Sequence, residues 1–512
     1  MCHACLELSV RGKVRALKTH KLLLPGDNIA IALSGGSCSL TMMSHVLSMR
    51  KDASTPRKER GKIDFGLTVI HVNEATAYGA TAAEAEAHGR AVVAAAQQCA
   101  ATAAATTAAE TGGGSTTAAS NSIGASGIKL DVWVVPLCDV FLLGDSEALR
   151  RQAVLSWRQQ PGHPPQQVAA ATEAALTSGG TKRTDAQEGE AAVEARGAAE
   201  REARLQQLLE AVQDPTGRED LIHHLRRRLL AAAGTAEGAT KLLCGDSATA
   251  LAARVVADTA KGRGFSLPSD IQLLDARGAA AGEPTFLYPM REVTVKEAVF
   301  VCRLRGLRPA ELPGPLLLSR LAAASPGRHS RDPRRSINSL ASAFIDSLQA
   351  NLPSTIFTVL RTASALRPFA FNSPDAMPMT SSASTSSAVE GGGAEAKSQD
   401  AAAAAAAGRP YALLCCVLCR APLSARELRA ISAAATAAAA AAPSSGRNQA
   451  DAGKLELQED DDEDASAPFC DSCRTQILFR PGHHEARGTE GEAVGGRARS
   501  LTRELLPEAL AA

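Results

Sequence analysis

Apolar positions along this chain fall into short runs separated by stretches of helical spacing. Residues 28–33, Asn28-Ile-Ala-Ile-Ala-Leu33, form a mostly apolar run, the pattern of a strand buried in a parallel sheet. Ser34-Gly35-Gly36 breaks the run, and Leu40 to Met49 reads as a helix. The same pattern recurs. Strands are expected at Ile63–His71, Asp131–Leu137, Lys241–Gly245 and Phe286–Met290. Helices are expected at Thr81–Cys99, Asp220–Ala233, from Ser247 as a cap to about Lys261, at Thr294–Arg305 and at Ile337–Leu348, the last of the body. Strands alternating with helices predict an α/β fold with a doubly wound parallel sheet.

Other stretches lack such patterning. Residues 100–127 are Ala/Thr/Gly/Ser-rich. Residues 158–217 are Gln-, Ala- and Glu-rich, apart from a helical pattern near 199–213. Both are expected to be disordered insertions. The resulting organisation is an N-terminal segment 1–20, an α/β domain 21–365, a linker 366–409, a cysteine-pair module 410–480 with an insertion at 425–465, and a tail 481–512. An alanine tract at 433–442 and an acidic run at 459–464 are expected to loop out of that module.

Composition changes the picture in three ways. Lys plus Arg number 55 against 54 Asp plus Glu, for a formal charge of +1. Any nucleic-acid contact must therefore come from a local patch. Aromatics make up 3% of the chain, which argues against a base-stacking module. No apolar run approaches the ~18 residues of a membrane span, and Met1-Cys2-His3-Ala4-Cys5 does not open a signal peptide. An intracellular, most simply cytoplasmic, setting is the default expectation.

The turn after the first strand is the main candidate for chemistry. Gly35 and Gly36 let backbone approach an anion, the following helix start favours negative charge, and Ser34 and Ser39 add hydroxyls. An ordinary strand-to-helix connection fits the same spacing. The turn is not a Walker loop, since no Lys-Ser or Lys-Thr follows, and its adjacent glycines exclude a Rossmann fingerprint.

The 12 cysteines occur largely as close pairs, which reads as metal binding rather than a disulfide framework. Cys416 and Cys419, with Cys470 and Cys473, make two CxxC pairs that suit tetrahedral zinc. On spacing, Cys416 is the ligand and Cys415 the spare. Cys2 and Cys5 form a lone pair, half of a closed site. Basic residues concentrate in 11–21, where Lys13, Arg15, Lys18 and Lys21 are candidate phosphate contacts, or simply a solvated helix face. Arg226-Arg227-Arg228, expected near a helix C-terminus, suits the helix dipole without a functional role.

Ser34-Gly35-Gly36 with Ser39 resembles the pyrophosphate loop of the PP-loop ATP pyrophosphatases, Ser-Gly-Gly-x-Asp-Ser. Lys21-Leu-Leu-Leu-Pro-Gly26, Cys244-Gly-Asp-Ser247 with Gly262-Arg-Gly264, Pro289-Met-Arg291 with Val295-Lys-Glu297, and Pro353-Ser-Thr355 with Arg361-Thr362 stand in the order found in the cytoplasmic tRNA 2-thiolation protein 2 family, which the chain resembles from Cys5 to about Arg361 and again at the C-terminal cysteines.

The resemblance implies a PP-loop fold binding ATP through Ser34, Gly35, Gly36 and Ser39. It further implies a heterodimer with a catalytic PP-loop subunit. That complex transfers sulfur from a thiocarboxylated ubiquitin-like modifier to the 2-position of the wobble uridine. Cys38 stands where catalytic relatives carry the loop aspartate, and Gly245-Asp-Ser-Ala-Thr-Ala250 where they carry a Gly-His-x-x-Asp-Asp type segment. Relatives have a further CxxC upstream of Cys2, so an N-terminal zinc site would be half present here. Two other readings stand beside this one: an autonomous PP-loop ATP-dependent ligase or amidotransferase-type enzyme, and a zinc-dependent interaction scaffold without nucleotide binding.

Overall fold

The computed structural model describes residues 2–51, 62–110, 130–158, 185–310, 335–366, 368–373, 415–441 and 469–478. The linker from 374, the acidic run 459–464 and the tail lie outside these residues, as do 111–127 and 159–184 of the expected insertions.

A six-stranded sheet organises the chain, in the order β3-β2-β1-β4-β6-β5. Its strands are β1 (Asn28–Ala32), β2 (Gly66–Asn73), β3 (Asp131–Pro136), β4 (Lys241–Cys244), β5 (Leu274–Asp275) and β6 (Thr285–Leu287). All pairings are parallel except β5 with β6. β1 pairs both neighbours in register, Ile31 standing opposite Val69 on one side and Leu243 on the other. The chain runs outward from β1 through β2 to β3, then returns to lay β4 on the other flank of β1. The strand order therefore reverses between β1 and β4, and an open α/β sheet forms its ligand crevice at such a point.

Apolar runs rather than alternation mark these strands because both faces are covered. Ile29, Ile31, Val69, Val132 and Leu243 face one core. Helices α1 (His3–Val14), α2 (Ser37–Met49), α3 (Ala82–Glu110) and α4 (Val295–Leu304) supply Val10, Val46, Val92 and Val301 to it. Ala30, Ile70, Trp133, Leu242 and Phe286 face the other core. There they meet Leu205, Leu208 and Leu209 of α5 (Asp185–Ala211) and Leu221, Leu225 and Leu229 of α6 (Pro215–Ala236). A third cluster joins α7 (Ala248–Ala260) to α8 (Ile337–Asn351) and α9 (Thr355–Ser364) through Leu251, Ile345, Ile356 and Leu360.

Several expectations need correction. α5 occupies the second half of the 158–217 stretch, and its buried leucines pack on the sheet. α8 is not the last helix of the body: Thr355 opens α9, which buries Ile356, Leu360 and Ala363. The 433–442 alanine tract is largely helical, within Ala425–Ala441, because alanine is the best helix former. The C-terminal cysteines do not form a separate module. Leu418, Ala421, Leu423 and Ile477 belong to the same core as α6, and a methyl group on Gly217 would lie 2.1 Å from the Gln476 carbonyl oxygen. Among the described residues, no helix is long and apolar enough to cross a membrane.

Candidate nucleotide cleft and metal centre

A cleft of about 410 Å³ opens at the β1–β4 switch point. Leu33 leaves β1 pinned to β2: its N–H donates to Ile70 (2.9 Å) and its carbonyl accepts from His71 Nδ1 (2.8 Å). Gly35 then takes φ +85°, a left-handed conformation costly for other residues. Its carbonyl accepts from Ala310 N–H at 2.9 Å, and a Cβ there would meet the Ala310 oxygen at 2.6 Å. Substitution of Gly35 is thus disfavoured whether or not nucleotide binds. Gly36 caps α2 with extended backbone and no side-chain capping bond. Ser39 Oγ donates to the Gly36 carbonyl (3.0 Å) and lies 3.1 Å from Ser34 Oγ. The four expected loop residues therefore converge; Ser34, Gly36 and Ser39 line the cleft together with Cys38.

The opposite rim is cationic. Arg226, Arg227 and Arg254 line the cleft against the carboxylates of Glu74 and Asp246. Arg226 pairs with Glu74 (2.7 Å) and Arg254 with Asp246 (3.0 Å). Arg227 bonds Asp275 and the Tyr288 hydroxyl. The Glu74 carboxylate holds the Arg226 guanidinium firmly charged. Burial keeps His223 neutral, well below the usual imidazole range, and pushes the Cys244 thiol up to about 12. Cys244 is therefore a protonated thiol at neutral pH. Ile70, Val72, Leu230 and Phe286 give the cleft an apolar side. A helix N-terminus, guanidinium groups and apolar surface in one crevice suit a phosphate-bearing ligand with a flat ring.

Sequence reasoning missed these arginines. Residues 226–228 do not sit at a helix end, because α6 runs on to Ala236 and its last turn carries no basic residue. Arg226 and Arg227 lie one helical turn past His223 and line the crevice. The signal lay in length: apolar spacing at Leu225, Leu229 and Leu230 continues past the arginines.

The second site is the cysteine cluster. Cys416, Cys419, Cys470 and Cys473 are buried, with ligand atoms all within 4.8 Å of one another; Cys419 Sγ and Cys470 Sγ are 3.6 Å apart. Backbone N–H groups point at the sulfurs, Ala421 at Cys419 and Cys473 at Cys470, each 3.4 Å. The turn closes because Arg420 takes φ 57° and Cys416 N–H donates to Ala421 (2.8 Å). Hydrogen bonds from Cys416, Cys470 and Cys473 hold the Cys419 thiol well below the ordinary range. This set fits one metal ion. Cys415 is buried but outside the group, as its spacing suggested. Cys2 and Cys5 are exposed, with Cys2 Sγ capping α1 through the Cys5 N–H (3.4 Å), and no group of three or more ligands among the described residues includes them.

Of the basic candidates, Arg15 and Lys21 are exposed and Lys18 half-buried. Lys13 instead bonds Glu297 (2.8 Å), tying α1 to α4.

A parallel α/β sheet with a glycine turn and cationic rim at its switch point, packed against a four-cysteine cluster that could hold a metal, is a PP-loop-like fold with a candidate metal centre. The family model for Cytoplasmic tRNA 2-thiolation protein 2 matches residues 336–475. Proteins of that name are similar in sequence: from rice, 33% identical over 171 residues, 33% of this chain and 32% of the relative; from Arabidopsis thaliana, 26% over 375 residues, 72% and 60%; from Bos taurus, 28% over 370 residues, 71% and 64%. Over these stretches the chain is similar to cytoplasmic tRNA 2-thiolation protein 2. Its matches span from about a third to under two thirds of these relatives' lengths. Among solved structures, the U34-tRNA thiolase NcsA from Methanococcus maripaludis with its 4Fe-4S cluster superposes with a TM-score of 0.38 and 13% identity, over 71% of this chain and 80% of that one.

Proposed function

We propose that this chain is a cytoplasmic subunit of a complex that 2-thiolates the wobble uridine of tRNA. Similarity to that family supports this reading, and the observation that carries it is the switch-point cleft. Such thiolation activates the uridine carbonyl oxygen with ATP before sulfur displaces the adenylate, so it calls for a pocket that holds a polyphosphate beside a base. Ser34, Gly35, Gly36 and Ser39 would hold the phosphates at the start of α2, with Arg226 and Arg254 opposite. Cys38 in place of an acidic residue removes the expected metal ligand of the loop. The chain therefore serves as heterodimer partner of a catalytic PP-loop subunit, which takes sulfur from a thiocarboxylated ubiquitin-like modifier. The autonomous-enzyme reading lacks that acidic residue, and the scaffold reading leaves the cationic rim unexplained.

Zinc is the ion best suited to the cysteine centre. Four thiolates at about 2.3 Å from one ion lie within 4.8 Å of each other, as these sulfurs do, whereas an iron–sulfur cube spreads its thiolates further apart. Arg15, Lys18 and Lys21 are proposed tRNA phosphate contacts. Mass spectrometry of tRNA from cells lacking this chain is the test: wobble 2-thiouridine should be lost, and return with the wild-type chain. Unchanged 2-thiouridine would exclude the reading.

A further inference from the structure

The cleft does not account for Gly262-Arg263-Gly264. Gly262, at φ +78°, follows α7, and the Arg263 N–H donates to Asp258 (2.8 Å). The arginine then turns inward: the residue is 9% exposed, and its Nε has no hydrogen-bond partner among the described residues. Asp258 and Asp270 stand 3.8 and 3.9 Å from its terminal nitrogens, beyond hydrogen-bond reach. A buried guanidinium with an unfilled donor is costly unless negative charge faces it.

That charge is at hand. Arg263 lines a second cleft, of about 250 Å³, together with Cys419, and the Cys419 and Cys473 sulfurs, beside Asp258 and Asp270, favour its charged form against its burial. His224 of α6 lines the same cleft, 5% exposed, with Nε2 also unpartnered. Four thiolates around a divalent ion carry a net charge of −2. Backbone N–H groups orient individual sulfurs but bring no net charge to offset this. The α/β body contributes full positive charge through Arg263.

We propose that Arg263 is the positioning residue of the cysteine centre, neutralising its thiolates from the α/β body, with His224 offering a neutral imidazole N–H beside it. Metal loading and docking of the cysteine turns onto α6 then form one coupled event. The inference rests on the reading that the four cysteines hold a metal. Groups that support metal ligands from outside are typically worth about 10- to 100-fold in affinity.

The test uses the full chain as purified. Metal content is measured first, then the rate of release to a chromogenic chelator, for wild type, Arg263→Met and Arg263→Lys. Cobalt-substituted samples give the thiolate spectrum. Arg263→Met should release metal about 10- to 100-fold faster, Arg263→Lys should recover most of the difference, and the saturated cobalt spectra should agree. If Arg263→Met fails to fold, His224→Leu carries the test, with a smaller loss in the same direction. Wild type without metal would overturn both this inference and the reading beneath it. Metal present, but released equally by wild type and Arg263→Met, or by Lys and Met variants alike, would overturn this inference alone.

Discussion

Gly245, just past β4, lies against the backbone of Ser39 at the start of α2: a methyl group there would stand 2.8 Å from Ser39 Cα and 3.0 Å from its nitrogen. The two ends of the switch-point crevice touch through this contact. Gly245→Ala should therefore displace the α2 N-terminus and cost about 1–3 kcal/mol, the range for overpacking. ATP binding, read by calorimetry, should weaken beyond the loss seen in urea unfolding. Gly12 is the control. It lies in α1, and a Cβ added there would have nothing within 4 Å, so Gly12→Ala should stabilise by about 0.5–1 kcal/mol.

Acid should destabilise the fold from beneath the loop. Burial lowers His71 to about 4, against the Leu33 bond that raises it, and its ring meets His88. Burial, with Arg305 and Arg11 nearby, lowers His45 to about 3. Both folded-state values lie below the unfolded one near 6.5. Their contribution is therefore complete above pH 6.5 and is lost as pH falls towards 4. At pH 5 each should have cost about 2 kcal/mol. Urea midpoints between pH 7 and 5 check this, and His71→Gln should flatten the dependence. A flat profile in the wild-type chain would show that neither imidazole is held neutral.

How far the sequence revealed this fold depends on what each element is made of. β1, β2, β3 and β4 announce themselves because strands covered on both faces are continuous apolar runs. The caps are equally plain: Ser247 accepts from Ala250 N–H (3.3 Å), and Thr294 with Glu297 forms a complete capping box. β5 is two residues long and pairs with β6 only through tertiary context, so no local pattern marks it. α5 was legible only in its second half: the buried leucines near its end give the helical pattern at 199–213, while the alanine and glutamate residues before them read as low complexity. The four cysteines were legible from spacing, since two CxxC turns suffice to set their chemistry. The cationic rim was not, because Arg226 gains its meaning only when the topology brings Glu74, 152 residues away, to face it.

Of the rim arginines, Arg254 is the cleaner probe. Arg226→Ala would strand Glu74, whose side chain is 12% exposed and whose Oε2 already has no partner, and should cost about 1–3 kcal/mol of stability as a largely buried acceptor left unpaired. Arg254 and Asp246 keep side-chain exposures of 24% and 25%, so water can re-solvate what is left. Arg254→Ala should leave unfolding little changed but weaken ATP binding about tenfold or more, as expected for losing a charged hydrogen bond. Equal affinity in wild type and variant would remove Arg254 from the site.

Cysteine substitutions separate ligand from neighbour. Cys470→Ser should abolish bound metal and lower the melting temperature, because the docked turns share the α6 core. Cys415→Ser changes a buried thiol outside the cluster and should leave metal content at about one equivalent. Metal retained in Cys470→Ser would show that the ligand set is different.

The basic stretch offers the sharpest contrast between structural and functional charge. Lys13 is bonded to Glu297, whose other oxygen closes the Thr294 capping box, so this lysine belongs to the α1–α4 contact. Its side chain is 23% exposed, and Lys13→Ala should cost no more than about 1 kcal/mol, the range of partly exposed pairs. Arg15 and Lys21 are exposed, and Lys21 holds φ 54° at the bend that leads into β1. With a net charge of only +1 on the whole chain, tRNA affinity must come from such local groups. Contacts of this kind are to phosphates and are sequence-independent, each adding roughly 0.7 to the salt slope for single strands. Replacing Arg15, Lys18 and Lys21 together by alanine should therefore weaken tRNA binding by the proposed heterodimer and lower its salt slope by about 2. Metal content and dimer formation should stay as they are. Lys13→Ala should leave the slope where it was. An unchanged slope in the triple variant would make the stretch a solvated helix surface, and the tRNA contacts would then have to be sought on the partner subunit.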